Sequence, residues 1–410
     1  MNYFFRKIIG LKKRSLVSFC MKYSQANATQ AKLQAYQIHT LVTPKNHGKP
    51  TVLIIGPRWI SSDAEHARLK LFEDVFRSLY GYCDIHWVTS EFSDSLSEKI
   101  GKVCRLYGVI WHIRRDPVGL FGIRRFALYQ AYDLAMEIHP DVISNMSGYL
   151  TFGHQAVLIA KALGVKSVVR VPGDEVLVKN LSVKDTKNLR AREREILENA
   201  DVSLVMSKDE LQRVKTSTNL SNPKIVVRGI DRKIFKRTPI NVNSPKLNVL
   251  FVGRNSPEKG LFLLKEIIQS RNTNFSFTII GDFPENDPIW ANAKIKKFLT
   301  QKKMAKTYKE ADVLMVCSQT EGFAQTIGEA LMIGRPVILP HDMLVEELGN
   351  RKFVIRCERI AKDYISKLET LASQREILTV MSKDASAFAA ENLDSQHWDV
   401  KYREALLLEK

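Results

Sequence analysis

Two glutamates spaced eight positions apart are the first residues in this sequence that suggest chemistry. They are Glu321 and Glu329, within the segment SQTEGFAQTIGEALMIGRPVI at residues 318–338. The segment predicts a loop that carries Glu321, followed by a helix that carries Glu329. Gly322 lets the backbone approach a ligand closely, and the first turn of a helix presents amides without partners inside the helix. One loop therefore offers a carboxylate beside a site that could bind an anion.

A second segment, VLFVGRNSPEKGLFLLKEII at residues 249–268, offers the complementary charges. It predicts a strand that ends at Gly253, a loop with Arg254 and Lys259, and a helix that begins near Gly260. Two cations beside a helix start form a site for a phosphate or diphosphate. Because carboxylates accept hydrogen bonds from vicinal hydroxyls, two of them near a phosphate site suggest a nucleotide sugar.

Both segments also have simpler interpretations. Thr326 precedes Glu329 by three positions, so T-I-G-E matches a capping box, in which the glutamate closes a helix start and binds nothing. Arg254 and Lys259, taken alone, are typical of solvated cations on a strand-to-helix loop. The sequence leaves these alternatives open at this point.

The elements that position these residues alternate between short apolar runs and helical stretches. Continuous apolar runs bounded by Gly, Asp or Ser predict strands of a sheet covered on both faces. The runs are 51–56, 84–89, 140–145, 166–171, 201–206 and 224–229, then 248–253, 275–281, 312–318, 336–340 and 352–356. A Pro- and Asn-rich stretch at 236–246 separates the two groups and is typical of a linker. The pattern predicts two doubly wound, Rossmann-like α/β domains.

Length and composition agree with two soluble domains. The chain has 410 residues, with 45% hydrophobic and 26% charged residues, which suits two domains rather than one. We divide it into a basic segment at 1–48, an N-terminal domain at 49–238, a C-terminal domain at 245–390 and a C-terminal helix at 391–410. Five separated cysteines without a C-x-x-C pair favour neither a disulfide framework nor a zinc site.

The net charge of +18 indicates an anionic partner. Residues 1–50 contain nine Lys or Arg and no Asp or Glu, and the first 14 residues suit an amphipathic helix lying on a membrane surface. An organelle transit peptide and a solvated tail are the alternatives. No apolar run approaches the roughly 20 residues that a membrane-spanning helix needs. No recognition motif supports a nucleic acid as the partner.

These motifs together resemble the C-terminal half of the retaining GT-B glycosyltransferases of family 4, also called glycosyl transferases group 1. The resemblance rests on the strand-GR-loop-KG pattern and on S-x-x-E-G-F with a glutamate eight residues after the first. ADVSLVMSKDEL at 200–211, RGIDRKIF at 228–235 and HWDVKYREAL at 397–406 are also similar to that family. It implies two domains that face each other across a cleft, with the acceptor on the first and the donor on the second. It also implies that the C-terminal helix packs back on the N-terminal domain.

The resemblance implies a role for each matching residue. Arg254 and Lys259 would hold the donor diphosphate and stabilise its developing charge, which makes electrostatic stabilisation the main catalytic device. Glu321 would contact the transferred sugar, and Glu329 the ribose hydroxyls. The remaining donor-binding residues would be Gly253, Gly322, Phe323, Ala324, Gln325 and Thr326. The absence of a D-x-D pair agrees with a metal-independent enzyme that uses a nucleotide sugar as co-substrate and no further cofactor.

The sequence departs from the family mainly in the N-terminal domain. GPRWISSDAE at 56–65 lacks the usual Gly-Gly turn, and Arg58 is a substitute anion contact. The family's histidine is missing after VVRVPGDE at 168–175, where Arg170 or Asp174 could face the acceptor, although Asp174 equally suits a turn cap. The segment 104–130 mixes five arginines with Trp111, Leu120 and Phe121, which suits an anionic membrane or a phosphorylated acceptor. A plain amphipathic helix is the alternative there.

The sequence therefore predicts a retaining hexosyltransferase-like enzyme that moves a sugar from a nucleotide-sugar donor to a lipid-linked, polysaccharide or other glycan acceptor. We expect it in the cytoplasm, peripheral to the inner face of a membrane. A non-catalytic GT-B partner subunit and a nucleotide-sugar epimerase are the rival hypotheses.

Overall fold

The structure is a computed structural model, and it describes residues 38–40, 48–56, 65–90, 93–114, 123–176, 182–270, 272–284, 287–319, 325–343 and 348–407. The chain forms two compact units. Unit 1 comprises residues 1–205, 213–224 and 401–410, and unit 2 comprises residues 206–212 and 225–400. The amphipathic helix expected near the N-terminus lies outside the described residues.

Unit 1 is built on an eight-stranded sheet. Its strands are β1 (Ile38–Thr40), β2 (Thr51–Ile55), β3 (Asp84–Ser90), β4 (Ile110–Arg114), β5 (Val142–Asn145), β6 (Lys166–Val171), β7 (Val202–Val205) and β8 (Pro223–Ile225), in the order β1-β4-β3-β2-β5-β6-β7-β8. Strands β2 to β7 pair in parallel, and β1 pairs antiparallel with β4. The helices are α1 (Glu65–Leu79), α2 (Asp94–Leu106), α3 (Ile123–Ile138), α4 (His154–Leu163) and α5 (Val183–Asn199), with a π-helical turn at Tyr149–Gly153. Helix α6 (Lys208–Lys215) begins in unit 2 and ends in unit 1.

The segment 104–130 is where the sequence interpretation of unit 1 was wrong. It contains the end of α2, the strand β4 and the first half of α3, so it is no single amphipathic helix. Trp111 lies in β4, is 1% exposed and stacks on Trp87 with ring centroids 5.7 Å apart. The apolar run around Trp111 suits an inner strand, and strand formation buries the aromatic residue that was assigned to a surface. Leu120 and Phe121 lie outside the described residues.

Unit 2 carries a six-stranded sheet in which every pairing is parallel. Its strands are β9 (Leu247–Val252), β10 (Phe275–Ile280), β11 (Ala293–Lys296), β12 (Val313–Met315), β13 (Val337–Pro340) and β14 (Val354–Cys357), in the order β11-β10-β9-β12-β13-β14. The helices are α7 (Leu261–Gln269), α8 (Gln301–Glu310), α9 (Gln325–Ile333), α10 (Ala361–Ser373), α11 (Ile377–Asn392) and α12 (Ser395–Leu407).

Two apolar clusters cover the two faces of the unit 2 sheet. Along β9, Leu250 packs into one cluster, whereas its neighbours Val249 and Phe251 pack into the other. Alternate side chains of a strand point to opposite faces, so a strand with a core on both sides must be apolar throughout. This explains the uninterrupted apolar runs of the sequence. Two runs form shorter strands than predicted, since β12 ends at Met315 and β8 at Ile225.

The end of the chain returns to unit 1. Helix α12 begins in unit 2, and from Lys401 onward the chain belongs to unit 1. There Tyr402 and Leu406 are buried, and the ammonium of Lys166 donates to the carbonyl of Leu406 at 2.8 Å. Among the described residues, no helix has the length and apolar character needed to cross a membrane.

Residues 229–230 pass close to the start of α12, and two backbone hydrogen bonds hold this crossing together. The amide of Ile230 donates to the carbonyl of Leu393 at 2.7 Å, and the amide of Ser395 donates to the carbonyl of Ile230 at 3.0 Å. A Cβ placed on Gly229 would lie 2.4 Å from the Cα of Ser395, so only glycine fits. This crossing holds the turn that follows Arg228.

We predict that Gly229→Ala lowers the free energy of unfolding by about 3 kcal/mol or more, because the new methyl group meets backbone atoms that cannot rotate away. Gly101→Ala is the control, since its methyl group would meet only the flexible end of Arg105, at 3.4 Å, within α2. Thermal melts followed by circular dichroism compare the two variants. Equal melting temperatures for Gly229→Ala and the parent would contradict the close contact between position 229 and the backbone of Ser395.

Candidate functional site

The candidate site begins with the loop between β9 and α7, which carries Arg254 and Lys259. Strand β9 ends at Val252, and the amide of Gly253 donates to the carbonyl of Ile280 at 3.0 Å. A short 3-10 turn at Pro257–Lys259 then leads into α7, which starts after Gly260 without a side-chain cap. The N-cap residue Gly260 has no side chain that could cap the amides of the first turn of α7, which suits an anion site at a helix start.

Arg254 is exposed but held in place by Glu258. Its side chain is 58% exposed, and its Nη2 lies 2.8 Å from Oε1 of Glu258, which also accepts from the hydroxyl of Ser256 at 2.7 Å. Burial opposes ionisation of Glu258, but hydrogen bonds from Ser256 and its own backbone, with the charges of Arg254 and Lys259, hold the carboxyl pKa below its ordinary value. The loop thus carries an ionised carboxylate next to its two cations.

This loop packs directly against the segment that follows β12. The amide of Gln319 donates to the carbonyl of Glu258 at 2.9 Å. A Cβ on Gly260 would lie 2.0 Å from the carbonyl oxygen of Cys317, and Gly260 has φ of +74°, which favours glycine independently. We call this contact between residues 258–260 and 317–319 the loop junction. It brings the cation loop next to the chain that leads into Glu321, which itself lies outside the described residues.

Glu329 lies on α9 as a buried carboxyl group. It is 8% exposed, and burial raises its pKa to about 7 from an ordinary 4.5, although a hydrogen bond with Tyr308 and the charge of Arg228 oppose the shift. A carboxyl group in this position is costly to ionise and needs partners that offset its burial. Arg228 and Tyr308 are those partners among the described residues.

The capping-box interpretation of Glu329 is wrong. Helix α9 already begins at Gln325, so Thr326 lies inside the helix, and its carbonyl accepts from the hydroxyl of Tyr308 at 3.2 Å. The side chain of Gln325 donates to the carbonyl of Gly229 at 3.2 Å and so joins the start of α9 to the turn after Arg228. Thr326 and Gln325 thus hold the surroundings of Glu329 through the backbone.

The acceptor-side residues predicted in unit 1 are engaged in internal bonds. Arg170 is 4% exposed, and its guanidinium donates to the carbonyl of Met146 at 2.9 Å. The carboxylate of Asp174 accepts from the amide of Val176 at 3.0 Å, as a turn cap does, and pairs with Arg190. Arg58 and the donor-side residues Gly322, Phe323 and Ala324 lie outside the described residues.

Sequence reasoning missed Tyr308 and Arg359. Tyr308 sits on α8 with no exposed surface, in a position that looked like any apolar residue of an amphipathic helix. Arg359 precedes α10 and contacts the loop junction from 40 residues further along the chain. No spacing signal links residues so far apart, so only the folded chain reveals them.

Comparison with known proteins agrees with this architecture. Residues 232–387 match the family described as Glycosyl transferases group 1. The structure is similar to that of HepE from Anabaena in complex with UDP and glucose, with a TM-score of 0.69, 14% identity and coverage of 87% of this chain and 99% of that one. It is also similar to WaaB, a lipopolysaccharide outer core galactosyltransferase, with a TM-score of 0.61, 16% identity and coverage of 87% and 99%.

Two curated relatives match parts of the chain. The sulfoquinovosyl transferase SQD2 of Arabidopsis thaliana is 25% identical over 65% of this chain, and an uncharacterised protein of the cps region of Klebsiella pneumoniae is 29% identical over 32%. The chain spans 59% of the first relative and 37% of the second. Fold and site therefore define a protein of the GT-B class, with two Rossmann-like domains built on largely parallel sheets. Within that class, it is residues 232–387, in the C-terminal half of the chain, that carry the match to the glycosyl transferases group 1 family, also known as family 4.

We predict that Glu329→Gln raises the melting temperature at pH 8 while it weakens binding of UDP. The folded-state pKa of about 7 lies above the ordinary 4.5, so the parent loses stability as pH rises through this interval, and glutamine removes that loss. The gain should vanish below about pH 4.5, where the carboxyl group is neutral in both states. Melting curves at pH 4.5 and 8, with UDP titration at pH 8, measure both effects. A lower melting temperature at pH 8 would show that Glu329 is a structural residue.

Proposed function

We propose that the chain is a retaining glycosyltransferase that moves a sugar from a nucleotide-sugar donor to a lipid-linked, polysaccharide or other glycan acceptor. The observation that carries this proposal is the loop junction. It brings two cations and the start of α7 against the segment that leads into Glu321. A diphosphate and the sugar attached to it need these two features side by side, with cations at the leaving group and a carboxylate at the sugar.

The donor would bind with its diphosphate on Arg254 and Lys259. These cations stabilise the charge that develops on the leaving phosphate, so we propose catalysis without a metal ion. Because Glu258 already pairs with Arg254, the diphosphate has to compete for that guanidinium or share it. Glu321 would hold the transferred sugar, and Glu329 would accept hydrogen bonds from the ribose. HepE was crystallised with UDP and with UDP-glucose, which makes uridine nucleotides the first probes to use.

In this mechanism the leaving phosphate helps to deprotonate the acceptor hydroxyl on the face from which it departs. The sugar then keeps its anomeric configuration, and no protein nucleophile is required. The contribution of the protein is to fix the diphosphate and the sugar relative to each other and to stabilise the departing charge.

The test of this proposal is a screen of nucleotide sugars for slow hydrolysis, which needs no acceptor. We expect release of a nucleoside diphosphate from at least one donor, without inhibition by a metal chelator. Binding of a nucleoside diphosphate without hydrolysis of any donor would instead favour a non-catalytic partner subunit.

We predict that Arg254→Gln and Lys259→Gln each weaken UDP binding by about tenfold or more, because each removes a charge-assisted contact worth roughly 1.5–3 kcal/mol. Lys383→Gln is the charge-matched control, since Lys383 is exposed on α11. Isothermal titration gives the three affinities. Parental affinity in both loop variants would show that the diphosphate binds elsewhere.

We also propose that the basic segment at 1–48 attaches the enzyme to the inner face of a membrane. This proposal rests on its lack of acidic residues and on the apolar face of its first 14 residues. A lipid-linked acceptor would then meet the enzyme at the surface where it is embedded.

We predict that the protein sediments with liposomes of anionic lipid and is released by salt. Each Lys or Arg near such a surface contributes about 1 kcal/mol, so deletion of residues 1–20 should reduce sedimentation sharply. Liposomes of zwitterionic lipid are the control and should retain little protein. Undiminished sedimentation of the truncated protein would place the membrane contact on another part of the chain.

A further inference from the structure

Arg359 makes an unusual set of contacts at the loop junction. Its guanidinium donates to three consecutive carbonyls, those of Cys317 at 3.3 Å, Ser318 at 2.9 Å and Gln319 at 3.1 Å. Its Nε also donates to the carboxylate of Asp342 at 2.7 Å. One side chain thus ties together the segments that follow β12 and β13.

These carbonyls lie beyond the end of β12 at Met315, and the guanidinium of Arg359 supplies donors to them. An arginine suits this task, since its planar guanidinium is always charged and presents five donors in a fixed geometry. Lysine offers a point charge and could not satisfy three carbonyls and a carboxylate in the same plane.

Gln319 connects Arg359 to the cation loop. Its carbonyl accepts from Arg359, and its amide donates to the carbonyl of Glu258, the residue whose carboxylate holds Arg254. Gln319 also lies two positions before Glu321. The contacts of Arg359 therefore fix the position of Gln319, which precedes the loop that carries Glu321, relative to the loop that carries the cations.

We propose that Arg359 is a positioning residue for sugar transfer: it fixes residues 317–319 against the diphosphate loop without itself touching the donor. This inference rests on the proposed function. It predicts a loss of turnover with little loss of donor binding. When Arg359 is removed, the cation loop keeps its own contacts, whereas residues 317–319, which lead to Glu321, lose three hydrogen bonds.

The chain contains a matched control for this proposal. Arg375 also donates to three carbonyls, those of Asn241 at 2.8 Å, Val242 at 2.9 Å and Lys246 at 3.2 Å, and it pairs with Asp312 at 3.0 Å. These partners precede β9 and β12, whereas those of Arg359 follow β12 and β13. In a parallel sheet, the partners of Arg375 therefore lie at the amino ends of the strands and those of Arg359 at the carboxyl ends. Arg375 thus has the same kind of bonding but no part in the candidate site.

The experiment compares Arg359→Gln, Arg359→Lys and Arg375→Gln in the full chain. The readouts are the melting temperature, the affinity for UDP and the rate of UDP-glucose hydrolysis at saturating donor, or of whichever nucleotide sugar the parent hydrolyses. We expect all three to melt lower than the parent. Both Arg359 variants should bind UDP within about threefold of the parent yet hydrolyse the donor about 100-fold more slowly, as a displaced catalytic group does. Arg375→Gln should keep the parental rate.

The outcomes separate this inference from the proposed function. A parent that hydrolyses no nucleotide sugar overturns both. A parent that does, together with an Arg359→Gln variant as fast as Arg375→Gln, overturns only the positioning role. If the Arg359 variants do not fold, Asp342→Ala takes their place, because it removes one of the four contacts from a side chain that is 64% exposed. It should then slow hydrolysis with little change in UDP affinity, and an unchanged rate would refute the proposal.

Discussion

The candidate site depends on one close approach, that of Gly260 to the carbonyl of Cys317. A side chain at position 260 would place its Cβ 2.0 Å from that oxygen, so any residue other than glycine pushes the two loops apart. The approach follows from the order of the sheet, because β9 and β12 are neighbours and their carboxyl ends meet at one edge. Two loops that are more than 50 residues apart in sequence thereby become parts of one site, and the hydrogen bond from Gln319 to Glu258 holds them together.

Electrostatics within unit 2 distinguish two carboxyl groups of the candidate site, Glu329 and Glu258. Glu329 is buried beside Tyr308 and Arg228, and the high pKa that burial imposes makes its ionised form costly. A carboxyl group that is costly to ionise adds little to stability at neutral pH, which supports the proposed ribose contact of Glu329 over a purely structural role. Glu258 has the opposite character, because nearby donors and cations keep it ionised. The candidate site therefore contains an ionised carboxylate that orients a cation and a buried carboxyl group that is costly to ionise.

Apolar patterning and loop placement made much of unit 2 predictable. Runs such as NVLFVG are apolar throughout because both faces of the sheet are covered, and ligands in such folds collect at the carboxyl ends of strands. Pattern alone could not distinguish a helix from a strand within 104–130, where burial of Trp111 decides for a strand. Nor could it decide whether Glu329 caps a helix, since a capping box and a binding glutamate share one spacing. Contacts from distant parts of the chain, such as those of Tyr308 and Arg359, leave no local trace.

The two units differ in how far their charged groups and helix starts are already occupied by partners from the same chain. In unit 1, the cations and carboxylates near β6 satisfy one another: Asp174 pairs with Arg190, and Glu193 accepts from Arg190, Arg213 and the hydroxyl of Tyr149. The amides of Tyr149 and Leu150, at the start of the π-helical turn, are likewise taken by the carboxylate of Glu175. A helix start that is already filled by its own chain does not need an external anion. In unit 2 the N-cap residue of α7 is Gly260, which has no side chain to act as a cap, and Arg254 is largely exposed although it pairs with Glu258, so an anion gains more there. The charge pattern thus favours anion binding in unit 2, whereas Arg170 and Asp174 hold the loops of unit 1 through internal bonds.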